Sequence, residues 1–277
     1  MVARNIARIG PALARAVVPA GAVLALVAGL GLVMVMPAPP SAHAAPQQAA
    51  HPYEPRFTFT RIRYNAVGGG PNLGGCGRGY GGNSSAWNHD YPAADLNMQA
   101  VLKEVTTMDP VVETSVVLDL EDPAIFQHLI LYMSEPGFWR ITEEGARNLR
   151  AHLLKGRFII FDDFDGPGHW ESWLAQMRQA LPEYTPIEID ETHPVFRTYF
   201  AIPDVYVPNP MFNVSVKPTY LGISENNDPN GRMLALVNYN SDLAEYWEQS
   251  TSTYLLIDLT NDAFRIGVNY FIYGLTH

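Results

Sequence analysis

The sequence predicts an α/β fold with a mostly parallel sheet, and three observations support this. Short apolar runs recur at residues 116–120, 129–133, 158–161 and 233–237, each bounded by turn-forming residues. Helical periodicity fills several of the intervals, so strands and helices alternate along the chain. The run at 158–161 also lacks polar alternation, as expected of a strand covered on both faces of a sheet.

The elements follow in order. Phe57, Phe59 and then Arg61-Ile62-Arg63-Tyr64 alternate apolar and polar and predict a first strand. Asp95 to Met108 carries a helical pattern, with Leu96, Val101, Leu102 and Val105 able to share a face. A strand at 116–120 is followed by Asp122-Pro123, which suits the first turn of a helix. The strand at 129–133 ends at Ser134-Glu135-Pro136-Gly137. Thr142 with Glu143 and Glu144 starts a helix that Gly156 stops. The strand at 158–161 then runs into Asp162, Asp163 and Asp165, and Gly166-Pro167-Gly168 separates it from a helix over 169–181. Pro182 ends that helix. Residues 187–189 form a short strand. Residues 220–223 and 233–237 pair through the turn signal Asp228-Pro229-Asn230-Gly231. A helical stretch around Trp247 and an apolar helix over 262–275 close the chain, the latter with Phe264, Val268, Phe271, Ile272 and Leu275 as its buried stripe.

Composition sets the context. The first 44 residues contain Arg4, Arg8 and Arg15, no acid, a long apolar segment over 16–36 and Ala42-His43-Ala44. A basic start, an apolar core and an A-x-A site form the signature of a secretory signal peptide. The apolar segment also reaches the roughly 20 residues a membrane span needs, so an uncleaved inner-membrane anchor is the alternative. Either way the expected location is periplasmic or extracellular, with membrane contact only through the uncleaved segment. Residues 45–55 read as a flexible spacer and 56–277 as a single α/β domain. Of the 18 basic residues, the 15 beyond that leader face 28 acids. Such a charge disfavours nucleic acid and anionic lipid. Cys76 is the only cysteine, so no intramolecular disulfide is available. It lies in the glycine-rich stretch 68–82, which lacks the G-K-[ST] ending of a P-loop and reads as a surface loop.

Several phrases together resemble a bacterial family known as domain of unknown function 4159. They are WNHDYPAADLN (87–97), LILYMSEPG (129–137), LLKGRFIIFDDFDG (153–166), HPVF (193–196), NYNSDLAEYWE (238–248) and IGVNYFIYGLTH (266–277). The resemblance spans about residues 56–277. It implies a flavodoxin-like sheet with helices on both faces, as in class I glutamine amidotransferases, and it implies no established activity. One departure is Gly156-Arg157, where the resemblance leads one to expect Gly-Gly; this should alter only the turn before the strand.

Amidotransferase chemistry needs a cysteine on a tight strand-to-helix elbow with a histidine as its base. No cysteine occupies such a turn, so glutaminase activity is not expected. No G-x-S-x-G occurs, and Ser241 reads as a helix-start residue.

The carboxylates are the sharper signal. Asp162, Asp163 and Asp165 end the central strand, and Asp90, Asp95, Glu135 and Asp242 fall after strands or at helix starts. In open α/β sheets such positions converge on the carboxyl rim, where ligands bind. Clustered oxygen donors suit Mg²⁺, Ca²⁺ or Mn²⁺, and an added His89, His169 or His193 shifts the preference toward Zn²⁺ or Fe. Asp is equally a helix-cap and turn residue, and that reading stands beside ligation for each acid. Asp163, Asp90 and His193 are the candidate catalytic or metal residues. Asp162, Asp163, Asp95, Asn97, Trp87, Glu135, Asn240 and Asp242 are the candidate ligand-binding set. Trp170 and Trp173 stand at helix spacing and belong in the core, whereas Trp87 and Trp247 lie near loops and are candidates for exposed rings. Two functions follow. One is a binding or scaffolding domain for a small polar ligand or an envelope protein. The other is a metal-assisted hydrolase acting on a carbohydrate or peptide-like envelope substrate.

Overall fold

The structure is a computed structural model and describes residues 56–66, 86–210 and 216–277. The leader, the spacer, the 68–82 glycine stretch and Cys76 lie outside the described residues. Seven strands make one sheet: β1 (Thr60–Arg63), β3 (Val116–Asp119), β4 (Ile130–Ser134), β6 (Phe158–Phe164), β7 (Ile187–Ile189), β8 (Thr219–Ser224) and β9 (Met233–Tyr239). Two short strands, β2 (Asn65–Ala66) and β5 (Trp139–Arg140), pair antiparallel beside it. The sheet order is β3-β1-β4-β6-β9-β8-β7. β3, β1, β4, β6 and β9 are mutually parallel, and β8 and β7 add antiparallel at the β9 edge. Counted along the chain, the parallel strands stand in the order 2-1-3-4-5.

Helices α1 (Ala93–Val105), α4 (Leu243–Glu248) and α5 (Ile257–Thr276) cover one face, and α2 (Glu143–Leu154) and α3 (Gly166–Ala180) the other. Among the described residues no helix is long and apolar enough to cross a membrane. Strands β4 and β6 are buried along their full lengths, which is why residues 130–133 and 158–161 are apolar without alternation. Alternate residues feed two cores. Ile160 joins the α1–α4–α5 side, whereas Ile159 and Phe161 join the α2–α3 side.

Three expectations need correction. The buried face of α1 is Ala94, Asp95, Met98, Gln99 and Leu102, while Val105 is exposed. Helix α3 begins at Gly166 rather than 169, because Pro167 suits its first turn and Gly166 adopts φ +70°. Trp247 is fully buried, its indole N–H donating to the Ala263 carbonyl at 3.1 Å.

The polar residues inside α1 have specific tasks. Gln99 accepts the Phe59 N–H at 2.7 Å and donates to the Thr114 carbonyl, tying α1 to the start of β1. Asp95 pairs with Arg61 on β1, and both side chains are fully buried. Arg61 also donates to the carbonyls of Trp87 (3.2 Å) and His89 (2.9 Å), so it holds the segment that follows β1. Removing one partner of a buried pair leaves an uncompensated charge. Asp95→Ala should therefore cost about 3–5 kcal/mol in chemical denaturation, and Arg61→Met with Asp95→Leu much less. Equal losses in both variants would refute this.

His152 on α2 is fully buried with no partner at hydrogen-bond geometry on either ring nitrogen. Burial, aided by Arg157, lowers its pKa to about 3 from the ordinary 6.5, so the folded chain holds it neutral. A base depressed on folding contributes stability that is complete above pH 6.5 and lost as pH falls toward 3. His152→Leu should remove roughly 2–3 kcal/mol of acid lability between pH 7 and 4.5, at ~1.4 kcal/mol per pH unit. Urea titrations at the two pH values measure it, and an unchanged difference would count against a neutral buried imidazole.

Candidate functional site

The chain reverses direction across the sheet between β1 and β4. From β1 it proceeds to β3 on one side, and from β4 to β6 on the other. The crevice at such a switch point is where open α/β sheets bind ligands. Four segments meet at the carboxyl rim: 87–90 after β1, Glu135 after β4, Asp163 at the end of β6 and Asp242 after β9.

His89, Asp90, Asp163 and Asp242 form one cluster, each offering a ligand atom, with those atoms all within 4.8 Å of one another. The His89 Nδ1 lies 2.7 Å from Asp163 Oδ2 and 3.3 Å from Asp90 Oδ2. The Asp90 side chain is completely buried, and Asp163 and Asp242 are at most 1 % exposed. Burial of this kind is tolerated when every oxygen has a donor. Here it does not: both Asp90 oxygens and Asp242 Oδ2 are buried without a hydrogen-bond partner. Glu245 stands near enough to Asp90 for the pair to share a proton, and His89 Nδ1, 3.3 Å from Oδ2, lies outside hydrogen-bond geometry.

The electrostatics follow from this crowding. Burial first, then the field of Asp163, pushes the Asp242 and Glu135 carboxyls well above their ordinary range. Burial likewise raises Asp90, partly offset by His89 and increased again by Asp163. Burial alone would lower His89. The hydrogen bond that its Nδ1–H donates to Asp163 and the charges of Asp163, Asp90 and Glu135 outweigh it and raise the imidazole to about 10. Asp165, 3.3 Å from the Asn209 amide, rises to about 7 through burial and its proximity to Asp163.

Backbone geometry shapes the rim. Asp90, Glu135, Asp163 and Asn240 all adopt left-handed φ, between +49° and +62°. Non-glycine residues in that region cost about 1–3 kcal/mol each and cluster at functional sites. At Asp163 the effect is concrete. The β6–β9 register shifts between Phe161 and Phe164, and Phe164 joins Phe161 in the α2–α3 core instead of alternating away. The Asp163 carboxylate is thereby aimed off the strand end. His169, in the first turn of α3, packs edge-on against Phe138. Only a glycine at 137 permits it, since a Cβ there would lie 2.4 Å from the ring. Burial keeps the His169 imidazole below its ordinary value, and its Nδ1 has no partner.

The other expected site residues are placed differently. Asp162 is structural. Its oxygens accept from the Tyr132 hydroxyl (2.8 Å), the Asn238 amide (2.8 Å) and the N–H groups of Leu243 and Ala244. Burial still lifts it to about 6. Asp95 is consumed by Arg61, and Asn97 donates to the Trp247 carbonyl at 2.8 Å, closing the end of α4. Asn240 accepts the Gly166 N–H at 3.2 Å and secures the β9 end to α3. Glu135 is buried at the rim, its carbonyl accepting the Tyr64 hydroxyl. Trp87 is half-buried and lines a groove of about 460 Å³ with Arg63, Tyr64, Trp139 and Arg140; none of the cluster acids lines it.

His193 does not join Asp90 and Asp163. It accepts the Val195 N–H in its own turn and faces Tyr273, whose hydroxyl meets the first residue of β9 at the opposite end of the sheet. The histidine at the cluster is His89. Glu245, Glu248 and Asn209 also belong to the neighbourhood without having been singled out from sequence. Asp242-x-x-Glu245-x-x-Glu248 on one helix face was the available signal for two of them.

No curated protein matches this chain. A family does: residues 59–275 match the family described as Domain of unknown function (DUF4159), which covers the whole sheet and all of its helices save the last residue of α5. The chain belongs to that family, and the acid cluster at the carboxyl rim lies wholly inside the matched region.

Proposed function

We propose that this domain binds a divalent cation at His89, Asp90, Asp163 and Asp242, and that the ion presents its remaining positions to a small polar ligand. The observation that carries this reading is the pair of buried carboxylates, Asp90 and Asp242, with three oxygens that have no partner at hydrogen-bond geometry among the described residues. Three carboxylates and one imidazole favour Mn²⁺ or another transition-series ion over Mg²⁺, which prefers all-oxygen coordination. The order 2-1-3-4-5 of the parallel strands supports the finer assignment of a flavodoxin-like, amidotransferase-like sheet. At the β6–α3 elbow this chain carries Asp163-Phe164-Asp165, carboxylates where amidotransferase chemistry requires a thiol. On the strength of residues 1–44 we place the domain outside the cytoplasm, in contact with envelope ligands.

A second reading, metal-assisted hydrolysis, is favoured by His169. Its imidazole is held neutral by burial, feels the charge of Asp163 and has an unpartnered Nδ1. A neutral imidazole near a cation site suits general-base work on a metal-held substrate.

Thermal melts of chelator-treated chain test the binding. At Mn²⁺ near 100 times its Kd the gain should be about 2.7 kcal/mol, or roughly 5–10 °C for a domain of this size. Asp163→Asn and Asp90→Asn should abolish the shift. The ion-free Asp90→Asn variant should be at least as stable as wild type, because a buried like charge has gone. A wild-type chain indifferent to Mn²⁺, Zn²⁺ and Mg²⁺ alike would sink the proposal.

A further inference from the structure

Asp90 belongs to a second group as well. Its carboxylate, Glu245 and Glu248 offer ligand atoms that all lie within 4.8 Å of one another. Glu245 is 8 % exposed and Glu248 half-buried, so this group lies between Asp90 and the surface. Building on the cation site proposed above, we propose that the centre is dinuclear. A second divalent cation sits at Asp90, Glu245 and Glu248, and Asp90 bridges the two ions, one oxygen to each.

The bridging role rests on Asp90 itself. Its side chain is completely buried, neither oxygen has a hydrogen-bond partner among the described residues, and His89 Nδ1 stands 3.3 Å from Oδ2. A single ion at the first position would satisfy one oxygen and leave the other with no partner but a proton shared with Glu245. The charges agree. Asp90, Asp163, Asp242, Glu245 and Glu248 carry five negative charges when ionised, against which one divalent ion leaves a large excess and two leave almost none. Arg61 does not change that balance because it is already paired with Asp95, and His89 becomes a neutral ligand once it holds the first ion. One Glu248 oxygen, Oε2, accepts the Gln249 amide at 3.1 Å, which leaves Oε1 for an ion. Two ions sharing a carboxylate are spaced to clamp the attacking and leaving oxygens of one displacement. A phosphate or carboxylate-containing ligand is the chemistry such a pair recognises.

Equilibrium dialysis of the full chain against Mn²⁺, with electron paramagnetic resonance on the same samples, tests this. Wild type should hold two ions per chain and give the broadened spectrum of an exchange-coupled pair. Glu245→Gln with Glu248→Gln should hold one ion and give the six-line pattern of isolated Mn²⁺, with its melting temperature in chelator confirming that it folds. One ion in wild type, lost in Asp163→Asn but kept in the Glu245/Glu248 variant, would overturn the second site and leave the first standing. Two uncoupled ions would overturn the bridge. No ion at all would overturn both readings.

Discussion

Everything at the carboxyl rim answers to one constraint: several carboxylates are buried within a few ångströms of one another. Charges that close repel strongly in a medium less polarisable than water, and each pays a desolvation penalty as well. A protein can relieve this with protons, with cationic side chains or with metal ions. Among the described residues the cation at the cluster is His89, whose imidazole is raised to about 10 by Asp163, Asp90 and Glu135. Arg61 is the other cation at hand, and Asp95 claims it. What Arg61 does supply is position, because its donors to the Trp87 and His89 carbonyls fix the segment that carries His89 and Asp90.

The strand β6 shows how the fold separates structural from exposed acid chemistry over two adjacent residues. Asp162 points into the layer of α4 and α5, where a hydroxyl, an amide and two backbone N–H groups serve its oxygens. It welds β4, β6, β9 and α4 together. Asp163 follows it in a left-handed backbone conformation, the strand alternation breaks, and its carboxylate leaves the sheet at the rim. The same step lets Phe164 return to the α3 side and stack against Trp170. Strain at one residue thus secures both a core contact and a site group.

Element order and the central position of residues 158–164 were legible in the sequence because apolar runs and turn residues report burial and chain reversal directly. The convergence of Asp90, Asp163 and Asp242 was legible for the same reason, since strand ends in a parallel sheet share a rim. Individual roles were harder to read. Asp95, Asn97 and Asp162 look like rim ligands in one dimension, yet their partners Arg61, the Trp247 carbonyl and Asn238 lie 34, 150 and 76 residues away. His193 misled because it follows a strand, but β7 is an edge strand of three residues and its turn leads back toward Tyr273. Glu245 and Glu248 stayed hidden because a six-residue helix leaves little periodic signal to show which face it buries.

The contrast between neighbours is the strongest argument about what the rim is for. This chain is able to satisfy a buried carboxylate completely, as Asp162 demonstrates with four donors drawn from three elements. It satisfies Asp95 with a guanidinium. Asp90 and Asp242 are buried as deeply, beside the same strands, and three of their oxygens have no partner at hydrogen-bond geometry among the described residues. Loose packing does not account for that, since the strands beneath them are buried throughout. Protons shared among acids would neutralise charge but would still leave lone pairs unserved. A cation answers both needs at once, and it does so at the place in the sheet where the topology opens a crevice.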